Sequence, residues 1–257
     1  MNLRLVNAEL LKLRRRRGLL SLSLLLTVGA ALIQYVTLLI LHASNPAKYG
    51  PAGGLDNLSG TVDGLETLAP VAGVLIGAAA GAGDLEAGMF RELVVTGRSR
   101  LALFGARVPG GLALLVPIMA AAWALAVGAS FAFAGGLATP GLAAILEGGG
   151  WVLLASVLSY LLALGLASLW GSRAMTVGVM LAWLFPVSHI LLAIDQLRGW
   201  RRVIPDPALY RISPSSLVPA KAHPPVAISL QAAVLVIALW GLVPLAAGAW
   251  RTRTRDA

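Results

Sequence analysis

The chain has 257 residues, 58% of them hydrophobic and 12% charged, with a mean hydropathy of +0.83 and a formal net charge of +9. Soluble domains are about half apolar and a quarter charged, so this composition excludes an ordinary water-soluble fold and requires a bilayer as solvent. With no cysteine, disulfides, thiolate chemistry and Cys-type zinc sites are excluded as well.

Residues 2–17 place Leu3, Val6, Leu10 and Leu13 at three- and four-residue spacing, with Arg4, Asn7, Glu9, Lys12 and the Arg14 to Arg17 run elsewhere. This periodicity predicts an amphipathic helix lying on the cytoplasmic membrane surface. The apolar run that follows, 18–41, is longer than the roughly 7–15 residues of a signal-peptide core, and is expected to be a retained span.

A membrane-crossing helix needs about 20 mostly apolar residues. Six runs reach that length: 18–41, 65–82, 108–133, 149–170, 175–194 and 226–249. The predicted fold is therefore an all-α polytopic membrane protein with six transmembrane helices, an N-terminal interfacial helix and no separate soluble domain. Residues 42–64, with Asn45-Pro46, Gly50-Pro51, Gly53-Gly54, Asp56 and Asp63, read as an external loop. In the second span Gly73, Gly77 and Gly81 recur every fourth residue, a stripe on which another helix can approach closely.

Residues 83–107 turn polar again. Met89, Leu93, Phe104 and Val108 share apolar faces of short helical turns, while Arg91, Glu92, Arg98, Arg100 and Arg107 are expected in water or headgroups, the pattern of a short docking helix. Pro117 suggests a kink in the third span. Residues 134–148 make an external link, and 171–174 a tight cytoplasmic turn that joins spans four and five as a hairpin. The segment 195–225 is the longest external stretch; it carries Pro205, Pro207, Pro214, Pro219, Pro224 and Pro225 with Trp200 and Tyr210 available for the interface, and has room for a short amphipathic or re-entrant element.

Basic residues beside spans are retained on the cytoplasmic side. With both termini inside, fourteen of the twenty Lys and Arg residues are cytoplasmic; five of the other six, Arg198, Arg201, Arg202, Arg211 and Lys221, fall in 195–225. This assigns a cell-membrane protein with both ends cytoplasmic. The basic charge is juxtamembrane rather than a face for nucleic acid, which needs a folded basic domain with base-reading partners.

Several chemistries can be tested against the residues. A phosphate-binding loop of the form G-x-x-x-x-G-K-[ST] needs a lysine after glycine, and the three lysines follow Leu11, Ala47 and Ala220. ATP hydrolysis by that route is excluded. Gly81-Ala82-Gly83-Asp84 matches the G-x-G-D of intramembrane aspartyl proteases, but such a site needs a second intramembrane aspartate, and the others lie in predicted loops or at span ends. No G-x-S-G serine motif occurs. His42, His189 and His223 are scattered without ligand spacing, and neither a metal nor a cofactor is expected. Gln34 and His189 are polar groups inside predicted spans and so candidates for a translocation pathway.

The surface helix with its basic end, the six spans and the polar turn after the second span resemble the permease subunits of ABC type-2 transporters over essentially the whole chain. The stretch from Glu86-Ala87-Gly88 through Arg98-Ser99-Arg100 to Arg107 resembles that family's acidic, Gly-Thr, Leu-Leu, Pro-hydroxyl-Arg, Lys pattern, with Met89 where Thr is common, Thr96-Gly97-Arg98 in place of the Pro-containing turn, and Arg107 for the lysine. The resemblance implies that 83–107 is a coupling segment docking on a separate ATP-binding subunit, with Asp84, Glu86, Arg91, Glu92, Arg98 and Arg100 as coupling residues. It also implies a second permease copy or paralogue, contact with membrane lipids, and outward movement of an amphipathic, lipid-like or drug- or peptide-like solute. The alternatives are a secondary transporter, which should carry charged residues within its spans, and a non-transporting membrane scaffold or assembly factor.

Overall fold

The computed structural model describes residues 3–89, 92, 95, 97, 99–218 and 226–254. Among these the secondary structure is helical, with no strand. Helix α1 (Leu3–Arg14) precedes α2 (Arg17–Ser44), α3 (Leu55–Glu86), α4 (Arg100–Ala132), α5 (Leu142–Trp170) and α6 (Arg173–Ala193); a 3-10 segment, Asp195–Val203, leads into the short α7 (Pro205–Arg211), and α8 is Leu230–Thr254. Six of these, α2 to α6 and α8, are long and apolar enough to cross a membrane. Lys12 of α1 pairs with Asp84 near the end of α3, and Arg100 at the start of α4 reaches the Arg253 carbonyl oxygen of α8, so α1 and the end of α8 share one end of the bundle, the termini end.

Several helices overrun their apolar runs. The loop expected over 42–64 ends early, because α3 begins at Leu55 and carries Asp56, Asp63 and Glu66 in its opening turns. Helix α4 begins at Arg100, so 100–107 is not part of a separate docking element, and α5 begins at Leu142 inside the expected external link. Helical hydrogen bonding is indifferent to where hydrocarbon stops, and hydropathy marks only the part that needs lipid. α4 runs through both Pro109 and Pro117. By contrast, α2 contains a π segment at Leu25–Gly29 and α6 another at Trp183–Val187 around Pro186, the kind of one-turn irregularity that relieves a lost or strained ladder bond.

Helix α3 is the centre of the bundle: 83% of its most apolar window is buried, against 17% for α2 and for α8. Its most extensive neighbour is α5. The glycine stripe makes this possible. A Cβ on Gly73, Gly77 or Gly81 would fall within 3.0 Å of the carbonyl oxygens of Ser156, Tyr160 and Leu164, so glycines every fourth residue on α3 meet carbonyls every fourth residue on α5. A second close crossing joins α5 to α8, where a Cβ on Gly248 would lie 2.6 Å from the Gly165 carbonyl oxygen. The outward faces of α2 and α8 remain apolar, with Ile33 60%, Ile40 63%, Leu242 63% and Val243 58% exposed; apolar surface on that scale needs lipid or another apolar partner.

Gly77→Leu forces α3 off α5 at the middle of the stripe. The expected cost is about 1–3 kcal/mol, read as an earlier unfolding midpoint when the detergent-purified chain is titrated with SDS, while Gly64→Leu, where an added Cβ meets nothing within 4 Å, leaves the midpoint unchanged.

Candidate functional site

The densest polar construction among the described residues lies at the termini end, where α3 finishes. Asp84 is 4% exposed and Arg107, on the second turn of α4, is 1% exposed. Arg107 Nη2 donates to Asp84 Oδ2 at 3.1 Å and its Nη1 to the Gly81 carbonyl oxygen at 3.0 Å. From the other side Lys12 of α1 donates to both Asp84 oxygens, at 2.8 and 3.0 Å, and pairs with Glu9 one turn earlier on its own helix at 2.5 Å. One carboxylate thus joins three helices. Tyr160 of α5, fully buried, adds a fourth by donating its hydroxyl to the carbonyl oxygen of Arg107 at 2.7 Å.

The position suits the charges. The last turn of a helix carries partial negative charge on its unpaired carbonyls, and cations are favoured there. Lys12 and Arg107 approach Asp84, the Arg16 guanidinium lies against Gly83, and Arg173 closes the rim by pairing with Glu86 through its Nε and by donating its backbone N–H to Glu86 Oε1 at 2.6 Å. Ser168 of α5 donates to the Gly81 carbonyl oxygen as well, at 3.3 Å. The C-terminus of α3 is therefore held from α1, α4, α5 and the first residue of α6.

Arg107 corrects the expectation that it stays in water or headgroups: it is among the most buried large side chains of the chain. Asp84 and Gly81 supply acceptors for its two Nη atoms, while its Nε is buried without a hydrogen-bond partner among the described residues. Asp84, expected as a contact for a partner, has both oxygens engaged inside the chain. Asp84 is partnered by Lys12 and Arg107 rather than by the second aspartate that the G-x-G-D chemistry pairs with it. Glu86 is exposed and paired with Arg173. Glu92 is exposed, and Arg100 reaches the Arg253 carbonyl oxygen of α8 at 3.2 Å. Arg91 and Arg98 lie outside the described residues. Since α3 extends to Glu86 and α4 begins at Arg100, the stretch between the helices is 87–99.

The candidate pathway residues are not brought together. Gln34 is half-buried on α2 facing Gly60 of α3, whereas His189 sits on the exposed side of α6, within 3.4 Å of Ser188 Oγ. Lys12, Arg107, Tyr160 and Arg173 are the residues the sequence reading did not assign to a site. The available signal was a lone lysine three residues after Glu9 and an arginine inside an otherwise apolar helix start, each of which is costly unless paired.

Asp84→Asn leaves Arg107 buried without a counter-charge, and is expected to destabilise by about 3–5 kcal/mol. Glu86→Gln, which removes the charge from a pair at the exposed rim, is expected to cost under about 1 kcal/mol. SDS-titrated unfolding in mixed micelles checks both, and similar costs for the two variants would contradict the assignment of the buried pair as the main anchor. No family model matches the chain and no curated protein matches its sequence, so its function is inferred from the junction itself.

Proposed function

We propose that this chain is the permease subunit of an ATP-driven exporter, working with a separate ATP-binding subunit and a second permease copy or paralogue, and moving an amphipathic, lipid-like or drug- or peptide-like solute outward. The observation that carries this is the junction at the end of α3. The short stretch 87–99 leaves α3 at Glu86 and returns to α4 at Arg100, and the end of α3 is tied by ion pairs to α1, α4 and α6 and by a hydrogen bond from Ser168 to α5. A displacement applied to 87–99 by a partner enters a rigid node rather than a frayed helix end, and the node distributes it to most of the bundle.

The remaining features fit that role. Fourteen of the twenty basic residues but only five of the eleven acidic ones belong by sequence position to the termini end, while the opposite end carries six of each. The positive-inside rule then puts the termini end and 87–99 in the cytoplasm of a cell-membrane protein, where an ATP-binding partner would be. α1, with Leu3 and Leu11 exposed and its other side on α4, lies along the cytoplasmic membrane surface. Partner contacts come from Glu92, Arg91 and Arg98, with Glu86 and Arg100 at the edges; Asp84 acts from inside by holding the node.

Two measurements test this. In mild detergent an ATP-binding protein with ATPase activity should co-purify with the wild-type chain from its native host, and be lost from a folded Arg91→Glu/Arg98→Glu/Arg100→Glu variant. If no ATPase accompanies the wild type under any condition, a scaffold or an ion-coupled transporter replaces this reading. For orientation, the chain's lack of cysteine gives a clean background: in intact cells a membrane-impermeant maleimide should label Ala138→Cys and Gly199→Cys, and should reach Arg14→Cys and Thr254→Cys only after permeabilisation. The reverse pattern would invert the topology.

A further inference from the structure

At the end of the bundle opposite the junction, a cavity of about 900 Å³ opens between the end of α6, α7 and the start of α8. Its wall is of two kinds. Among the described residues its apolar lining includes Leu192 from the last turn of α6, Val218, Ile228 ahead of α8 and Ala232 from the first turn of α8. Arg202 and Arg211 add cations to the lining, with Asp206, between them in sequence, as its acid.

The two arginines are placed to receive an anion. Both are exposed, and both border the cavity. Arg211 donates its Nε to the Ile228 carbonyl oxygen at 3.2 Å, which steadies the side chain against the approach to α8, and among the described residues its terminal nitrogens remain as donors. Arg202 forms no salt bridge among the described residues, whereas its neighbour Arg201 is paired with Asp195 at 2.9 Å. A guanidinium fork matches the oxygens of a phosphate in geometry as well as charge. The adjoining cavity, of about 350 Å³, has Glu147 and no basic residue in its wall, so an anion is directed to the first.

Position argues for a lipid rather than a soluble anion. Leu192 and Ala232 belong to the final and first turns of two spans, which sets that part of the cavity at the edge of the hydrocarbon, and the arginines stand on the segment between those spans, at headgroup depth. Trp200, 77% exposed on the same 3-10 segment, is the residue type that settles at that interface. A volume of about 900 Å³ admits a headgroup with the upper part of its chains.

We propose that this cavity binds an anionic phospholipid, its phosphate held by Arg202 and Arg211 and its acyl chains against Leu192, Ile228 and Ala232. The site stands apart from the permease reading, because its test needs only the purified chain with no ATP-binding subunit. Binding to the detergent-purified chain is measured by native mass spectrometry and by the shift of its melting curve, with dioctanoyl phosphatidylglycerol, dioctanoyl phosphatidylcholine, glycerol 3-phosphate and inorganic phosphate as probes. Phosphatidylglycerol is expected to bind the wild type and to bind Arg202→Gln/Arg211→Gln about tenfold more weakly, the loss of roughly 1.4 kcal/mol. Asp206→Asn, which removes the acid from the lining, should tighten it. Arg202→Gln alone alters only an exposed side chain and should weaken binding part-way, which keeps the test open if the double variant does not fold. Equal binding of phosphatidylglycerol to wild type and variants would mean lipid retained around the bundle generally, and would overturn the site. So would binding of inorganic phosphate or glycerol 3-phosphate as tight as that of the lipid, or equal affinity for phosphatidylcholine.

Discussion

Placing a guanidinium and a carboxylate out of water costs several kcal/mol for each ion before any attraction between them is counted, and it is tolerated only where every donor and acceptor finds a partner. Arg107 and Asp84 meet that condition almost completely: two guanidinium nitrogens go to Asp84 and to the Gly81 carbonyl oxygen, and the free side of the carboxylate goes to Lys12. The pair can therefore exist in only one arrangement of α1, α3 and α4. Hydrophobic packing alone would not select that arrangement, because lipid is as good a solvent for leucine as another helix is. The ion pair supplies specificity that apolar faces in a membrane lack.

The glycine stripe and the junction are two parts of one construction. Gly73, Gly77 and Gly81 bring α3 against α5 until backbone meets backbone, and the stripe ends at Gly81, the residue whose carbonyl oxygen accepts from both Arg107 and Ser168. Close approach delivers Tyr160 to the carbonyl of Arg107, and the same approach leaves Gly111 of α4 against the Tyr160 ring, where a side chain would collide. Rigidity at the termini end thus follows from packing in the middle of the bundle. The far end is built differently, with short elements, a 3-10 segment and an open cavity. A stiff base beneath an open far end is what a bundle driven from one side would need.

Much of this was legible in the sequence. The six spans were, because about 20 apolar residues between charges have few other uses, and so was the glycine stripe, because a four-residue period on a helix is a face whatever lies opposite. The helix ends were not. Leu55 to Gly64 and Arg100 to Arg107 are polar enough to read as loop, yet they continue helices whose cores lie in the bilayer. Arg107 was misplaced for a related reason. Its partner Asp84 is distant in sequence, and no local pattern distinguishes an arginine that points to water from one that turns inward. The polar far end was legible only as a proline-rich segment with an aromatic and basic character. That Arg211 steadies the approach to α8 and that Arg202 faces a cavity depend on how α6, α7 and α8 converge, which no periodicity encodes.

The central claim is that Asp84 and Arg107 act as a unit on which the helix arrangement rests, and a double-mutant cycle tests it most directly. Asp84→Leu, Arg107→Met and the double variant are compared with wild type by SDS-titrated unfolding of the purified chain. Asp84→Leu should be strongly destabilising because it strands the buried Arg107, and Arg107→Met less so because Lys12 still pairs with Asp84, while the double variant, free of both buried charges, should recover much of the loss, so that the costs fall short of additivity by about 1–3 kcal/mol. Costs that add within about 0.5 kcal/mol would mean that the two residues do not sense one another, and would contradict the account.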